Sequence, residues 1–187
     1  MRWTHVKALR ATLLFVFASL YPLAASAQIG VYQTQAEFLE EAFDSAVPKS
    51  QHIWVDDKLR PSVTDILGHP PGTLRIRYWQ SNQKTAWILQ EIGKEKPITF
   101  GVVIEDEAIS YLRVLQFRES RGWEIRYPFF TQQFSSMRLS EDGSTNQRID
   151  SITGATLSVN AATRIAKLAL FLDGYLRQPA EKLTEAR

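Results

Sequence analysis

The hydrophobic positions change their spacing along the chain, and these changes divide it into elements. Near the start, apolar residues follow Thr34 on one helical face, and Thr34 with Glu37 has the spacing of a capping box. This pattern predicts a first helix at about residues 35–45. The stretch HIWVDD, residues 52–57, predicts a short strand that ends in acids, and residues 61–68 predict a brief helix that ends at a glycine.

Between residues 73 and 118 the apolar positions alternate with polar ones. Four segments are rich in β-branched and aromatic residues, and short polar stretches separate them: TLRIRYW, TAWILQEI, ITFGVVI and AISYLRVLQF. Consecutive strands with short connections predict an antiparallel meander. The aromatic-rich residues 118–137 then predict a loop with helical turns that closes one end of the sheet. The alternative is that the loop at Gly122 lines a cofactor pocket.

Helical spacing returns in the C-terminal part of the chain. An apolar stripe there has spacings of 4, 3, 4 and 4 residues: Ala161, Ile165, Leu168, Leu172 and Leu176. It predicts a helix at residues 157–177 that packs on the sheet. The fold class expected is therefore α+β, with an antiparallel sheet of about four or more strands, an N-terminal helix and a long C-terminal helix. Residues 28–72 and 73–178 are interpreted as one domain, and residues 179–187 as a frayed tail.

The first 27 residues have the pattern of an export signal. Three basic residues precede a 13-residue apolar stretch at 11–23, and Ala25-Ser26-Ala27 follows as a small-x-small cleavage site. The apolar stretch is shorter than the roughly 20 residues of a membrane-spanning helix. We therefore predict cleavage after Ala27 and a periplasmic or exported protein. The alternative is an inner-membrane anchor formed by residues 11–23.

Charge and composition exclude several classes of chemistry. The signal holds three of the 22 basic residues and none of the 20 acidic ones, so the remainder has 19 basic and 20 acidic groups. This balance offers no electrostatic reason to expect a nucleic-acid partner. The absence of cysteine excludes disulfides, thiolate metal sites and iron–sulfur clusters. His52 and His69 lie 17 residues apart, which is not a ligand spacing, and we predict no metal site.

The stretch DSITGAT, residues 150–156, stands directly before the C-terminal helix. Backbone amides at a helix entrance lack intrahelical partners and carry partial positive charge, so an anion is stabilised there. Gly154 lets the backbone approach a bulky phosphate, and Ala155 keeps the neighbouring position small. Asp150 is too far upstream for an ordinary cap and suits another task, such as accepting a proton from an attacking hydroxyl. The alternative is a simple hydroxyl-rich entrance with Thr153 or Ser151 as the cap.

The pattern Asp-x-x-(Ser/Thr)-Gly-Ala-(Thr/Ser) resembles the flavinylation signature of the FMN-binding domain family. This family includes flavin-carrying components of the sodium-pumping NADH:quinone reductase and of the Rnf complex. The resemblance implies that a flavin transferase cuts FAD and joins the FMN half to the Thr156 hydroxyl as a phosphoester. Asp150 is then needed for the transfer, and Thr153, Gly154 and Ala155 shape the site. Residues 73–178 become the FMN-binding core.

A weaker resemblance covers the strand at residues 108–117 and the loop after it. In members from membrane complexes that loop commonly reads Glu-Thr-Pro-Gly, whereas this chain has Glu119-Ser120-Arg121-Gly122 without the proline. Glu119 and Gly122 are therefore the weaker candidates for contact with the flavin. The tryptophans beyond the signal are further candidates for covering the flavin ring.

Three functions remain open at this point. The first is an electron carrier that works with a membrane-bound or periplasmic redox partner, since a tethered flavin cannot diffuse away. The second is an FMN-dependent reductase of a small substrate. The third is a cofactor-free binding or scaffold domain; a serine hydrolase is disfavoured because the chain has no Gly-x-Ser-x-Gly elbow. Asp56 and Asp57 could be catalytic carboxylates, but a solvated strand end is the favoured interpretation.

Overall fold

The computed structural model describes residues 30–140 and 142–178. The predicted signal and the predicted frayed tail lie outside the described residues. The fold is α+β, as predicted, with a six-stranded antiparallel sheet. Its strands are β1 (Gly30–Val31), β2 (Gln51–Trp54), β3 (Arg75–Ser81), β4 (Lys84–Ile92), β5 (Pro97–Glu105) and β6 (Ala108–Phe117), and its α-helices are α1 (Gln35–Ala42), α2 (Leu59–Leu67), α3 (Pro128–Thr131) and α4 (Thr156–Arg177).

The predicted meander forms the centre of the sheet. The strand order is β1-β6-β5-β4-β3-β2, so four consecutive strands lie side by side and two short strands from the N-terminal segment extend the edges. The β4–β5 pairing is continuous from Lys84↔Glu105 to Ile92↔Pro97. The β3–β4 ladder is shorter and runs only from Tyr78↔Trp87 to Ser81↔Lys84. Beyond that ladder the two strands separate.

Helix α1 begins at Gln35, as predicted, whereas helix α2 begins at Leu59 and not at Pro61, because proline is tolerated in the first turn of a helix. The Thr34 side chain accepts from the Glu37 amide and the Glu37 carboxylate accepts from the Thr34 amide, which is the predicted capping box. Helix α1 ends at Ala42, earlier than predicted, because Asp44 and Ser45 take positive φ angles of 49° and 66°. Helix α2 ends at a glycine in the left-handed conformation, also as predicted.

The sheet is covered on both faces. Helices α2 and α4 pack on one face in the larger core, and four residues of the predicted α4 stripe are buried there, while Leu176 is partly buried against the same core. Helix α1 covers the other face through a smaller cluster centred on Phe38. Because α4 crosses the central strands, its entrance is fixed relative to the sheet. Among the described helices, none combines the length and apolar content that a membrane crossing needs.

Candidate functional site at the entrance of α4

A tight turn leads from the DSITGAT motif into α4. The Ala155 amide donates to the Ile152 carbonyl at 2.9 Å, and Gly154, the third residue of this turn, has a φ of 83°. A type II turn requires positive φ at its third residue, which glycine adopts without steric cost. Gly154 is therefore explained by the turn. A β-carbon at Gly154 would meet no atom within 4 Å, so the surface beside it is open to a ligand.

Thr156 is the first residue of α4 and is exposed to solvent. Ala155 precedes it with a ψ of 14°, and no side chain caps the helix. The alternative of a simple cap by Thr153 or Ser151 is therefore wrong for this entrance. No hydrogen bond from the backbone amides of residues 156–158 is found among the described residues. These donors and the dipole of a 22-residue helix favour an anion at Thr156.

Asp150 is held by its backbone. Its amide donates to Gln133 Oε1 at 2.7 Å, which fixes the motif against the helical turns that follow β6. The Gln147 side-chain amide adds two bonds in the same place, to the carbonyls of Gln133 and Ser135. The Asp150 carboxylate is exposed and makes no hydrogen bond or ion pair with any described residue. Both Asp150 and Thr153 are thus accessible to a modifying enzyme.

The loop at Gly122 lies directly against the first turn of α4. Gly122 has a φ of 88°, and a β-carbon there would stand 2.5 Å from Ser158 Oγ and 3.5 Å from Ala155 Cβ. The contact at 2.5 Å would be a clash that excludes a β-carbon unless Ser158 moves, whereas 3.5 Å is an ordinary van der Waals contact. The structure therefore brings Gly122 together with the motif, 36 positions along the chain from Ser158.

Glu119 has a different set of contacts. Its Oε1 accepts from the backbone amides of Lys94, Glu95 and Lys96 at 2.6, 2.7 and 2.9 Å, in the turn between β4 and β5. Partial burial opposes ionisation, but these three hydrogen bonds outweigh it and lower the pKa of Glu119. All described bonds of the Glu119 carboxylate lie in that turn, and none reaches the motif. Glu119 thus fixes the base of the loop that carries Gly122.

The aromatic stretch after β6 divides into buried and exposed residues. Phe130 and Phe134, four positions apart, are fully buried and meet edge-to-face at 5.4 Å. Trp123, Tyr127 and Phe129 remain 43%, 40% and 60% exposed. The prediction that this stretch closes one end of the sheet accounts for the buried rings of Phe130 and Phe134. Core packing does not explain the three exposed rings.

The positions of the four tryptophans beyond the predicted signal show which of them could cover a flavin ring. Trp79 and Trp87 are buried, and Trp54 lies on the edge strand β2. Trp123 directly follows Gly122 and is therefore adjacent to the first turn of α4. Leu157, 49% exposed, adds apolar surface in that same turn.

An arginine links the exposed rings to the start of the described chain. The Arg126 guanidinium lies 4.4 Å from the centre of the Tyr32 ring and 4.8 Å from that of Tyr127, and donates to Tyr127 Oη at 3.0 Å. This hydrogen bond lowers the pKa of Tyr127. We call Tyr32, Trp123, Tyr127 and Phe129 the aromatic patch. Neither Tyr32 nor Arg126 was predicted from the sequence, because no local pattern connects residues 94 positions apart.

The acidic pair near β2 is structural. Asp56 Oδ1 accepts from the amides of Lys58 and Leu59 at 3.1 and 3.0 Å, which caps the start of α2. Asp57 pairs with Arg60 at 3.3 Å on the surface. His52 and His69 lie on different elements with different partners, Arg75 for the first and Glu91 for the second. These contacts favour the solvated strand end over catalytic carboxylates.

The fold and the site together define a protein class: an α+β domain with an exposed helix entrance that suits a phosphate, next to an exposed tryptophan. The donor set fits a flavin nucleotide, because the uncapped amides suit its phosphate and Trp123 with Leu157 suits its apolar ring. Residues 93–170 match the family model of the FMN-binding domain, which is consistent with the resemblance to the FMN-binding domain family. The match extends from the β4–β5 turn through most of α4, so it includes both the loop and the motif.

The family match indicates that this domain binds FMN. Comparisons with curated proteins and with solved structures gave no significant match. The resemblance suggested by DSITGAT is thus supported by a match that includes the motif and also residues far outside it.

Proposed function

We propose that this protein is an exported electron carrier with FMN joined to Thr156 through a phosphoester. The observation that carries the proposal is the exposed Thr156 hydroxyl at an uncapped helix entrance, inside the region that matches the FMN-binding domain. An esterified phosphate at this hydroxyl would lie beside the free amides of the first turn. These amides would stabilise its negative charge.

The chain's own residues would have distinct roles in holding the cofactor. The amides of residues 156–158 would bind the phosphate, and the open surface at Gly154 would let it approach the backbone. Trp123 and Leu157 would pack against the flavin ring. When bound, FMN supplies one- and two-electron redox chemistry that no protein side chain here provides.

The attachment is a phosphoryl transfer in which this chain is the substrate of a flavin transferase. The Thr156 oxygen forms a bond to the phosphorus of the FMN half of FAD, and the bond from that phosphorus to the AMP oxygen breaks. AMP leaves, and the hydroxyl proton passes to a base. Asp150 is available for that task or for recognition by the transferase, since its carboxylate has no described partner.

Exposure of the motif favours a carrier over a reductase. Asp150, Thr153, Gly154 and Thr156 are all exposed, so a cofactor at Thr156 would be presented to a partner protein. A substrate-reducing enzyme usually surrounds its substrate in a concave site. A membrane-bound or periplasmic redox protein is therefore the proposed partner.

Covalent attachment can be tested by co-expression with a flavin transferase. We expect flavin fluorescence in the washed acid precipitate of the wild-type protein and of Thr156→Ser, and none in Thr156→Val. Thr163→Val is the matched control: it removes a hydroxyl that bonds the Val159 carbonyl at 2.9 Å, on the same helix but away from the entrance. Thr163→Val should keep the flavin. Covalent fluorescence in Thr156→Val would refute the proposed site.

Export is tested separately. Cleavage after Ala27 predicts that the N-terminal sequence of protein isolated from the periplasm begins at Gln28. A chain that still carries residues 11–23 and sediments with the inner membrane would support the anchored alternative. Neither result affects the assignment of Thr156.

A further inference from the structure

A cavity lies where β3 and β4 separate, and residues from both faces of the sheet line it. Beyond Tyr78 and Trp87 the two strands are no longer paired, and a cavity of about 440 Å³ lies between them. Its lining includes Leu67 and Leu168 from the α2–α4 face and Trp79 and Ile88 from the α1 face. Cavities of about 300–1,000 Å³ hold small organic molecules in many proteins.

A buried carboxylate is built into the wall of this cavity. The side chain of Glu91 is only 2% exposed, and its Oε1 accepts from His69 Nε2 and from an Arg164 amino group, both at 2.9 Å. The hydrogen bond from His69 raises the pKa of that histidine. The Glu91 charge is therefore neutralised by partners on α4 and on the loop after α2. It does not make the cavity acidic.

The remaining charges of the lining are two arginines. Arg75 donates to His52 at 2.8 Å and Arg77 lies 5.8 Å from the centre of the Trp79 ring. Neither guanidinium meets a carboxylate among the described residues. Two unneutralised guanidiniums, two positions apart on one strand, therefore stand at an otherwise largely apolar cavity. A guanidinium binds a carboxylate through paired, charge-assisted hydrogen bonds.

We propose that this cavity binds a small amphipathic carboxylate, with its apolar body between β3 and β4 and its head group at Arg75 and Arg77. The apolar walls come from Trp79, Ile88, Leu89 and Leu168. Charge complementarity selects an anion over a neutral molecule of the same shape, because two cations would otherwise lie beside an apolar ligand without a counter-charge.

This site is distinct from the flavin site. Leu168 follows Thr156 by 12 residues on α4, which corresponds to roughly 18 Å along a helix axis at 1.5 Å per residue. A ligand in the cavity would therefore not occupy the helix entrance. The proposal does not depend on covalent FMN, and the flavin-free Thr156→Val protein should bind the ligand equally well.

Decanoate and 1-decanol form a matched pair of probes, since they differ only in the charged head. We expect isothermal titration of the full exported protein to show decanoate binding at least about tenfold tighter than 1-decanol. Arg77→Gln should weaken decanoate binding by about tenfold and leave 1-decanol unchanged. Arg60→Gln is the matched control, because Arg60 is an exposed arginine of α2 that does not line the cavity.

The outcomes separate the proposal from its alternatives. Ile88→Trp, which fills the space between the strands, should abolish binding of both probes. No decanoate binding to the wild-type protein at millimolar concentration would overturn the proposal. Equal affinities for decanoate and 1-decanol, or a decanoate affinity unchanged by Arg77→Gln, would overturn it as well, because the arginines would then have no role.

Discussion

Replacing Gly122 with alanine tests whether the loop after β6 lies against the entrance of α4. Two costs are expected. Alanine at a φ of 88° is in the left-handed region, which costs about 1–2 kcal/mol for a residue with a β-carbon. The new β-carbon would also stand 2.5 Å from Ser158 Oγ, and overpacking of this kind costs about 1–3 kcal/mol. The sum is about 2–5 kcal/mol of unfolding free energy.

The two costs can be separated by removing the Ser158 hydroxyl. In a Ser158→Ala background the nearest remaining contacts of the new β-carbon are Ser158 Cβ at 3.3 Å and Ala155 Cβ at 3.5 Å. The clash is then largely relieved, and Gly122→Ala should cost only about 1–2 kcal/mol. The coupling free energy between the two positions is expected to be about 1–3 kcal/mol.

Urea denaturation of the four proteins in this cycle measures these values, with thermal unfolding as a second assay. A change of about 1 kcal/mol corresponds to roughly 2–4 °C in Tm for a chain of this size. Gly68→Ala is the control: Gly68 has a φ of 74°, but a β-carbon there would meet nothing within 4 Å. Its cost should be the same in both backgrounds. If the cost of Gly122→Ala is also the same in both, the loop does not pack on Ser158, and the placement of Trp123 beside the entrance of α4 is refuted.

Three further predictions concern the supports of the fold. Glu119→Gln should lower the free energy of unfolding at neutral pH, and this deficit should shrink on acidification. The folded-state pKa of Glu119 lies below its ordinary value of 4.5, so the charged carboxylate stabilises the fold above pH 4.5. This stabilisation is lost as the pH falls through the folded-state pKa. The stability deficit of His69→Gln should depend on pH in the opposite way. The folded-state pKa of His69 lies above its ordinary value of 6.5, so its stabilisation of the fold is complete below pH 6.5 and is lost as the pH rises through the folded-state pKa. Gly101→Ala should cost about 1–3 kcal/mol, because its β-carbon would stand 2.5 Å from the Phe38 ring, and Phe38→Leu should relieve part of that cost.

Urea titrations across pH check the first two predictions, and a double-mutant cycle checks the third. A Glu119→Gln deficit that is independent of pH would contradict the role of its carboxylate. For His69→Gln, the contradicting result is a deficit that grows above neutral pH. A Gly101→Ala protein as stable as the wild type would mean that α1 does not pack closely on β5.

Local signals predicted most of the fold. The capping box at Thr34 and the glycine stop at Gly68 define their helix ends through contacts within a few residues, and the alternation between residues 73 and 118 has the period of a strand. The structure confirms each of them. The two-residue strand β1 has no comparable signal, since its place in the sheet depends on pairing with Phe117 and Gln116.

The candidate site was predictable only in part, because several of its contacts join residues that are far apart in the sequence. Thr156 and Gly154 stand within one short motif, so the sequence alone could propose them as candidates. The role of Glu119 depends on amides 23–25 positions away, and the contact of Arg126 with Tyr32 spans the whole meander. The cavity between β3 and β4 arises where a ladder stops, and strand composition does not reveal where two strands separate.

The entrance of α4 lacks the side-chain cap that begins α1. Thr34 with a ψ of 159° is in the extended conformation that lets a side chain cap α1, whereas Ala155 with a ψ of 14° is not. A missing cap costs about 0.5–2 kcal/mol. Burial of a single large aliphatic side chain contributes about 1.5–3 kcal/mol. Helix α4 buries five such side chains: Val159, Ile165, Leu168, Leu170 and Leu172. Helix α4 therefore remains stable without a cap, and its first amides stay available to an anionic ligand.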